Sequence, residues 1–255
     1  MDLFQTIILS VIEGVTEFLP ISSTGHLILT THLLNIPESE FLKSFTIAIQ
    51  LGAILAAAWL YSGRLLQSRE ELKRVIWVFI PTGILGFLVY KIVKQFLLGS
   101  FETVIISLFL GGVLIIILER YFKKVEGTGK IRDLSLKNSL LLGVIQTLSV
   151  IPGVSRSGTT IFGGMFMGLS RSEATELSFM VAIPVMLSAT GYDLLKSYKN
   201  FHPGDLGVIG MGIFVSFIVA LFAIRWLINF IKTHDFTYFG IYRIMVSTMF
   251  WFFLR

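Results

Sequence analysis

Glu13-Gly-Val-Thr-Glu-Phe-Leu-Pro-Ile-Ser-Ser-Thr-Gly25 returns in altered form as Gln146-Thr-Leu-Ser-Val-Ile-Pro-Gly-Val-Ser-Arg-Ser-Gly158. The register holds without a gap, because 146 − 13 and 158 − 25 both give 133. Val11/Val144, Ile12/Ile145, Ser22/Ser155, Gly25/Gly158 and Ile28/Ile161 are identical across it, and Thr24/Ser157 and Ile21/Val154 are conservative. The chain therefore carries a duplicated unit. Its copies have diverged where charge matters: the first holds Glu13, Glu17 and His26, the second Arg156. A polar site composed from both copies is the first expectation.

The surroundings of these motifs decide the class. The 255 residues are 54% hydrophobic and 15% charged, with a mean hydropathy of +0.80, and the apolar runs are too long and too many for a soluble domain. This is the composition of an all-α integral membrane protein. Met1-Asp2-Leu3 lacks the basic start of a cleavable signal, so the first apolar segment is expected to be retained. The chain has no cysteine, which excludes disulfides and thiolate metal sites. A net charge of +5 fits cytoplasmic loop bias, and no basic stripe with interleaved aromatics points to nucleic acid.

Six segments, about 44–62, 75–97, 102–121, 172–193, 207–231 and 238–254, reach the roughly 17 to 25 residues that a spanning helix needs. Pro81 and Pro184 fall inside two of them and should kink rather than end their helices. Segments 2–34 and 137–169 are different. Each is an apolar half-run, a break rich in Pro, Gly, Ser and Thr, and another half-run, and neither half is long enough to span. Broken segments survive at membrane depth only where protein or a wet cavity covers their backbone, so both are expected to be re-entrant helix hairpins. Residues 1–130 and 131–255 then form two repeats, each a hairpin followed by three spanning helices. Three is odd, so the second repeat enters the bilayer from the opposite side, which makes an inverted-topology repeat within one membrane domain. Phe45/Phe179 and Ala48/Ala182 extend the echo into the next helix.

Basic residues set the orientation. Arg64, Arg69, Lys73, Arg74, Arg120, Lys123, Lys124, Lys130, Arg132, Lys137, Arg171 and Lys232 gather on one side; Lys43, Lys94, Lys196, Lys199 and Arg255 lie on the other. The richer side is expected to be cytoplasmic, with both termini and the first hairpin outside. Most of the loop charges read as solvated.

Ionisable groups inside apolar runs cost about 2.5 to 3.5 kcal/mol each and call for a reason. Glu13 and Glu17 share one helix face, where like charges repel unless a proton or cation lies between them. One reading is a structural cluster sharing a proton or paired with arginine; the sharper one is a divalent-cation site completed by water and phosphate oxygens. Ser22-Ser23-Thr24-Gly25-His26 precedes the returning half-helix, where free N–H groups and the helix dipole favour an anion. Its mirror, Ser155-Arg-Ser-Gly158 with Thr160, adds the bidentate fork of Arg156. Taken singly, Ser22 and Thr159 read as caps, and Gly164 and Gly168 as packing residues. His26, beside two carboxylates, suits proton transfer. His32, His202 and His234 read as interfacial or loop residues. Arg243, in the last apolar run, either snorkels or helps to hold a second phosphate.

Glu13-Gly-Val-Thr-Glu-Phe-Leu-Pro-Ile-Ser-Ser-Thr-Gly-His26 and Pro152-Gly-Val-Ser-Arg-Ser-Gly-Thr-Thr160 resemble the two signature motifs of the bacterial undecaprenyl-diphosphate phosphatases of the bacitracin-resistance type, over essentially the whole chain. The resemblance implies removal of the terminal phosphate of undecaprenyl diphosphate in the bacterial inner membrane, recycling the lipid carrier of cell-wall synthesis. A divalent cation, Mg²⁺ or Ca²⁺, would assist, and a homodimer is left open. It implies a site of Glu13, Glu17, Ser23, His26, Ser155, Arg156, Ser157, Gly158 and Thr160, with Arg243 in a Tyr-Arg-Ile element. Either Ser23 or His26 attacks phosphorus, or a metal-bound water attacks while His26 handles protons; His26 is favoured as general acid/base and Ser23 as nucleophile. The competing class is a transporter or flippase for a polyprenyl phosphate or small anion, because inverted repeats with broken helices are a transporter plan. A soluble-type acid phosphatase site is the third reading, and it lacks a downstream nucleophilic histidine.

Overall fold

The computed structural model describes residues 1–96, 101–125, 127–197 and 205–253. Lys199, His202, Arg255 and the side chain of Lys94 lie outside the described residues. The regular elements among them are helices: α1 (Leu3–Thr16), α2 (Ser23–Leu33), α3 (Glu40–Gln67), α4 (Arg69–Phe96), α5 (Phe101–Phe122), α6 (Leu136–Gln146), α7 (Arg156–Phe166), α8 (Arg171–Ser197), α9 (Leu206–Phe230) and α10 (Thr237–Phe253). Helices α3, α4, α5, α8 and α9 are long and apolar enough to cross a membrane. The described part of α10 has 17 residues, at the short edge of the spanning range. The protein is an all-α, multi-pass membrane protein. Trp59, Leu66, Phe87, Phe214, Phe222 and Phe252 stand exposed on its rim, where hydrocarbon and not water is their solvent.

Segments 2–34 and 137–169 each hold two short helices with a break between them. Helix α1 has 14 residues, and α2, α6 and α7 have 11 each, or roughly 16 to 21 Å at 1.5 Å per residue, well short of a ~30 Å hydrocarbon core. Asp2 starts α1 with a capping box, accepting from the Gln5 N–H at 2.7 Å while the Gln5 amide oxygen accepts from the Asp2 N–H at 3.1 Å. Ser135 caps α6 through the Asn138 N–H at 3.1 Å. Pro81 and Pro184 each stay inside a continuous helix.

The packing partners cross between the halves. Helix α3 packs on α9 and on α8, and α5 on α10, while α1 lies along α9 as α6 lies along α4. The core between them is apolar, with Phe18, Phe45, Phe179 and Phe236 fully buried.

Two expectations need correcting. Arg64 and Arg171, among loop charges most of which the sequence reads as solvated, are built into ion pairs: Arg64 with Glu71, Glu173 and Glu176, and Arg171 with the fully buried Glu119 at 2.8 Å. Buried carboxylates at the helix ends need these partners to offset their desolvation. Gly168 departs from the packing role given to its Gly164–Gly168 pair. Its φ is +89° with open space where a side chain would stand; it turns the chain between α7 and α8 and offers its carbonyl to the Gly129 N–H at 3.0 Å. Gly164 does pack, close to Ala174.

Candidate active site

Both hairpins break where the sequence stops a helix and restarts it with a serine. Glu17 ends α1 in helical conformation, its N–H on the Glu13 carbonyl at 3.0 Å, so the two carboxylates rise from successive turns of one face. Pro20 prevents continuation. Ser22 takes a left-handed φ of 72° and caps α2 by accepting from the Gly25 N–H at 3.4 Å. At the second break Gly153 has φ +87°, and a Cβ there would sit 2.8 Å from the Val104 carbonyl oxygen, so only glycine fits. Ser155 caps α7 through the Gly158 N–H at 3.1 Å, the repeat-equivalent bond. At such helix starts the first N–H groups have no intrahelical acceptor, and the dipole is positive.

The two restarts meet at one carboxylate. Ser23 Oγ donates to Glu17 Oε2, and Arg156 Nη2 donates to Glu17 Oε1 at 3.1 Å. Arg156 also gives Nη1 to the Ser178 carbonyl at 2.8 Å, and its guanidinium carbon lies 5.6 Å from the centre of the Phe18 ring. Its Nε, like the Ser178 hydroxyl, is buried with no hydrogen-bond partner in the protein. Ser157 Oγ donates to the Leu19 carbonyl at 2.8 Å, a second tie between the hairpins. Thr160 and Thr159 both return their hydroxyls to the Arg156 carbonyl, each at 2.9 Å.

Glu13 is fully buried, and neither of its carboxylate oxygens has a hydrogen-bond partner in the protein. An orphan carboxylate at zero exposure wants a cation or a proton. Among the described residues no group of three or more His, Cys, Asp or Glu could hold a metal by itself. Two carboxylates do suit Mg²⁺ or Ca²⁺, hard cations that take oxygen ligands, Mg²⁺ in particular completing its shell with water and substrate phosphate.

His26 and Arg243 sit differently from what the sequence leads one to expect. His26 Nδ1 lies 2.8 Å from the Ser22 carbonyl and Nε2 lies 2.9 Å from the Tyr242 hydroxyl, with the two rings stacked 6° from parallel. A carbonyl oxygen only accepts, so Nδ1 carries a proton. The partner of His26 is thus a tyrosine, not a carboxylate, and Tyr242 was missed as a site residue; its hydroxyl inside an apolar helix was the signal available. Arg243 neither snorkels nor points its donors to open space. At 2% exposure it donates Nε to the Leu108 carbonyl at 3.2 Å, Nη1 to Pro20 at 3.2 Å, and Nη2 to Ser107 and Gly153 at 2.9 Å each. Pro20 and Gly153 are repeat equivalents, 133 residues apart. The guanidinium spends four of its five N–H donors on backbone at both breaks and α5, which leaves one for the phosphate contact expected of it. His32 and His234 are exposed, as expected.

Against known proteins, the family model described as "Bacitracin resistance protein BacA" matches residues 6–249. An undecaprenyl-diphosphatase of Aquifex aeolicus (strain VF5) is 49% identical over 250 residues, covering 98% of this chain and 98% of the relative. Another from Sulfurihydrogenibium sp. (strain YO3AOP1) is 46% identical over 252 residues, covering 98% and 99%. A third, from Wolinella succinogenes, is 45% identical over 255 residues, covering 100% and 99%. Similarity of this extent, carried through both broken hairpins and all the long helices, places the chain in the bacitracin resistance protein BacA family.

Proposed function

We propose that the chain is a phosphatase that hydrolyses undecaprenyl diphosphate to undecaprenyl phosphate and inorganic phosphate, returning the lipid carrier to cell-wall synthesis in the bacterial inner membrane. One observation carries this reading: a serine hydroxyl and an arginine, one from each hairpin, share a single buried carboxylate, Glu17. A carrier needs an anion clamp; it does not need a hydroxyl held on a carboxylate base. The names of the relatives support the same substrate.

Ser23 Oγ attacks the terminal phosphorus as its proton passes to Glu17. The bond from phosphorus to the bridging oxygen breaks, and undecaprenyl phosphate leaves with that oxygen. Glu17 gives up the proton to the leaving oxygen, then receives one from the water that attacks phosphoserine, and returns it to Ser23 as inorganic phosphate departs. Charge spreads over the phosphoryl oxygens during both displacements, so donors already in place matter most. Arg156 and the N–H groups that open α2 and α7 supply them. Glu13 and Glu17 would hold a divalent cation, Mg²⁺ or Ca²⁺, which when bound neutralises charge on the diphosphate. His26, locked between Ser22 and Tyr242, holds the first turn of α2 and with it Ser23.

The repeat is inverted in this reading. The exchange of partners supports it: α3 with α8 and α5 with α10 pair across the repeats, and α1 on α9 has α6 on α4 as its counterpart. The basic loops then face the cytoplasm and the first hairpin opens outward.

The test is phosphate release from undecaprenyl diphosphate by the purified protein in detergent with Mg²⁺, compared with counterflow of labelled undecaprenyl phosphate in vesicles. Stoichiometric phosphate release is expected. Counterflow without release would replace the phosphatase reading with the transporter.

A further inference from the structure

A cavity of about 600 Å³ lies between the end of α1, its break and the facing ends of α9 and α10. Thr16, Leu19 and Ile21 line it on one side and Trp226, Phe239 and Tyr242 on the other. It adjoins the candidate active site at two places. Thr16 immediately precedes Glu17 and Ile21 lies two residues before Ser23, and Tyr242 carries the hydroxyl that meets His26. At its far end it reaches His234, in the turn between α9 and α10.

Its lining is almost wholly apolar and aromatic, and the aromatics are already ordered among themselves. Trp226 stacks on Phe230 at 5.0 Å and meets Phe239 edge-on at 6.2 Å, and Phe230 meets Phe239 at 5.5 Å. Such a wall offers rigid faces to methyl-branched, unsaturated hydrocarbon at little entropic cost. No arginine or lysine lines it to hold a phosphate.

Direction selects the occupant. With the basic loops cytoplasmic, the cavity runs from the mid-membrane break toward the cytoplasmic ends of α9 and α10. A lipid arriving from the outer leaflet keeps its headgroup outward and its chain pointing inward, so a diphosphate at Ser23 would send its first isoprene units along this path. A lipid of the inner leaflet would lie the other way.

We infer that the groove between α1, α9 and α10 binds the isoprene units that follow the headgroup, more of them than the two of a geranyl chain, and sets the preference for long isoprenoid diphosphates over short ones. The inference rests on the phosphatase reading. The remaining chain extends into the bilayer, because 600 Å³ is the size of a small-molecule pocket.

The experiment compares kcat/KM of the full chain for undecaprenyl diphosphate and for geranyl diphosphate. Trp226→Ala is expected to lower the long-to-short ratio about tenfold, chiefly through KM for the long substrate, and Trp226→Phe to restore it to within about twofold. Phe239→Leu serves as an independent second probe, expected to lower the ratio in the same direction. Trp59→Ala, an aromatic on the lipid-facing rim at 73% exposure, should leave the ratio unchanged. A ratio within about twofold of wild type in both Trp226→Ala and Phe239→Leu overturns the groove assignment, as does an equal loss on both substrates. Failure of the wild-type protein to release phosphate from either substrate is a different result, and it removes the phosphatase reading and the groove together.

Discussion

Ser23 and Arg156 occupy the same position of the two repeats, 133 residues apart, and they meet on opposite oxygens of the Glu17 carboxylate. One repeat has kept a small hydroxyl at the start of its second half-helix, and the other has placed a guanidinium there. The two similar helix starts thus face each other, and divergence at a single pair of positions gives one a hydroxyl and the other a guanidinium on the same carboxylate. Ser157 on the Leu19 carbonyl holds them in register.

The nucleophile assignment is the most exposed part of the mechanism. Ser23→Ala is expected to lower kcat by about three orders of magnitude, and Ser23→Cys to retain a small fraction of activity. Phosphate release from undecaprenyl diphosphate is the assay. A rate within tenfold of wild type in Ser23→Ala would shift the attack to water.

Glu13→Gln keeps the shape of a fully buried residue and removes its charge. If Glu13 holds the cation, the Mg²⁺ concentration for half-maximal rate rises by about tenfold or more, with the thermal midpoint in detergent unchanged or raised. Wild-type rates across the whole Mg²⁺ titration would return Glu13 to a structural role.

Arg243→Lys tests the carbonyl clamp. A lysine has a single ammonium with three donors and cannot reach Pro20, Gly153, Ser107 and Leu108 together. Each lost bond leaves a buried carbonyl unsatisfied at about 1 to 3 kcal/mol. The variant is expected to unfold several degrees earlier in detergent, with KM for the lipid changed less than about threefold. A large KM increase at unchanged thermal stability would restore the phosphate contact.

Single cysteines in this cysteine-free chain test the orientation. Glu38→Cys, in the exposed turn between α2 and α3, should react in whole cells with an impermeant thiol reagent. Ser135→Cys, at the start of α6 beyond the basic loop, should react only after lysis. The reverse pattern would invert the topology and move the groove's lipid to the other leaflet.

Much of this was legible in the chain itself. The gapless offset of 133 identified the repeat, and the clusters of Pro, Gly, Ser and Thr around Pro20 and Gly153, each between two half-runs too short to span, marked the breaks. The cost of charge at membrane depth singled out Glu13, Glu17 and Arg156. What could not be read were the pairings. Glu17 to Arg156 spans 139 residues and His26 to Tyr242 spans 216, and periodicity says nothing of which distant side chain closes such a contact. The backbone contacts of Arg243 were hidden for a physical reason. Re-entrant turns leave carbonyls without helical donors, and a guanidinium is as well suited to those as to a phosphate. The pairing of Arg64 and Arg171 with buried acids was hidden likewise, since loop basicity predicts a side of the membrane and not a partner.

The central claim is that the two hairpins make one catalytic site through Glu17 and Arg156, and a double-mutant cycle on kcat tests it most directly. Arg156→Lys keeps the charge and loses the fork, with an expected loss of about tenfold to a hundredfold at ~1.4 kcal/mol per decade. Glu17→Gln is expected to cost at least as much, having lost the base. If both act on one phosphoryl group, Glu17→Gln/Arg156→Lys falls short of the product of the single losses by about tenfold or more. Losses that multiply within about twofold would mean that the two residues act independently, and would contradict a composite site.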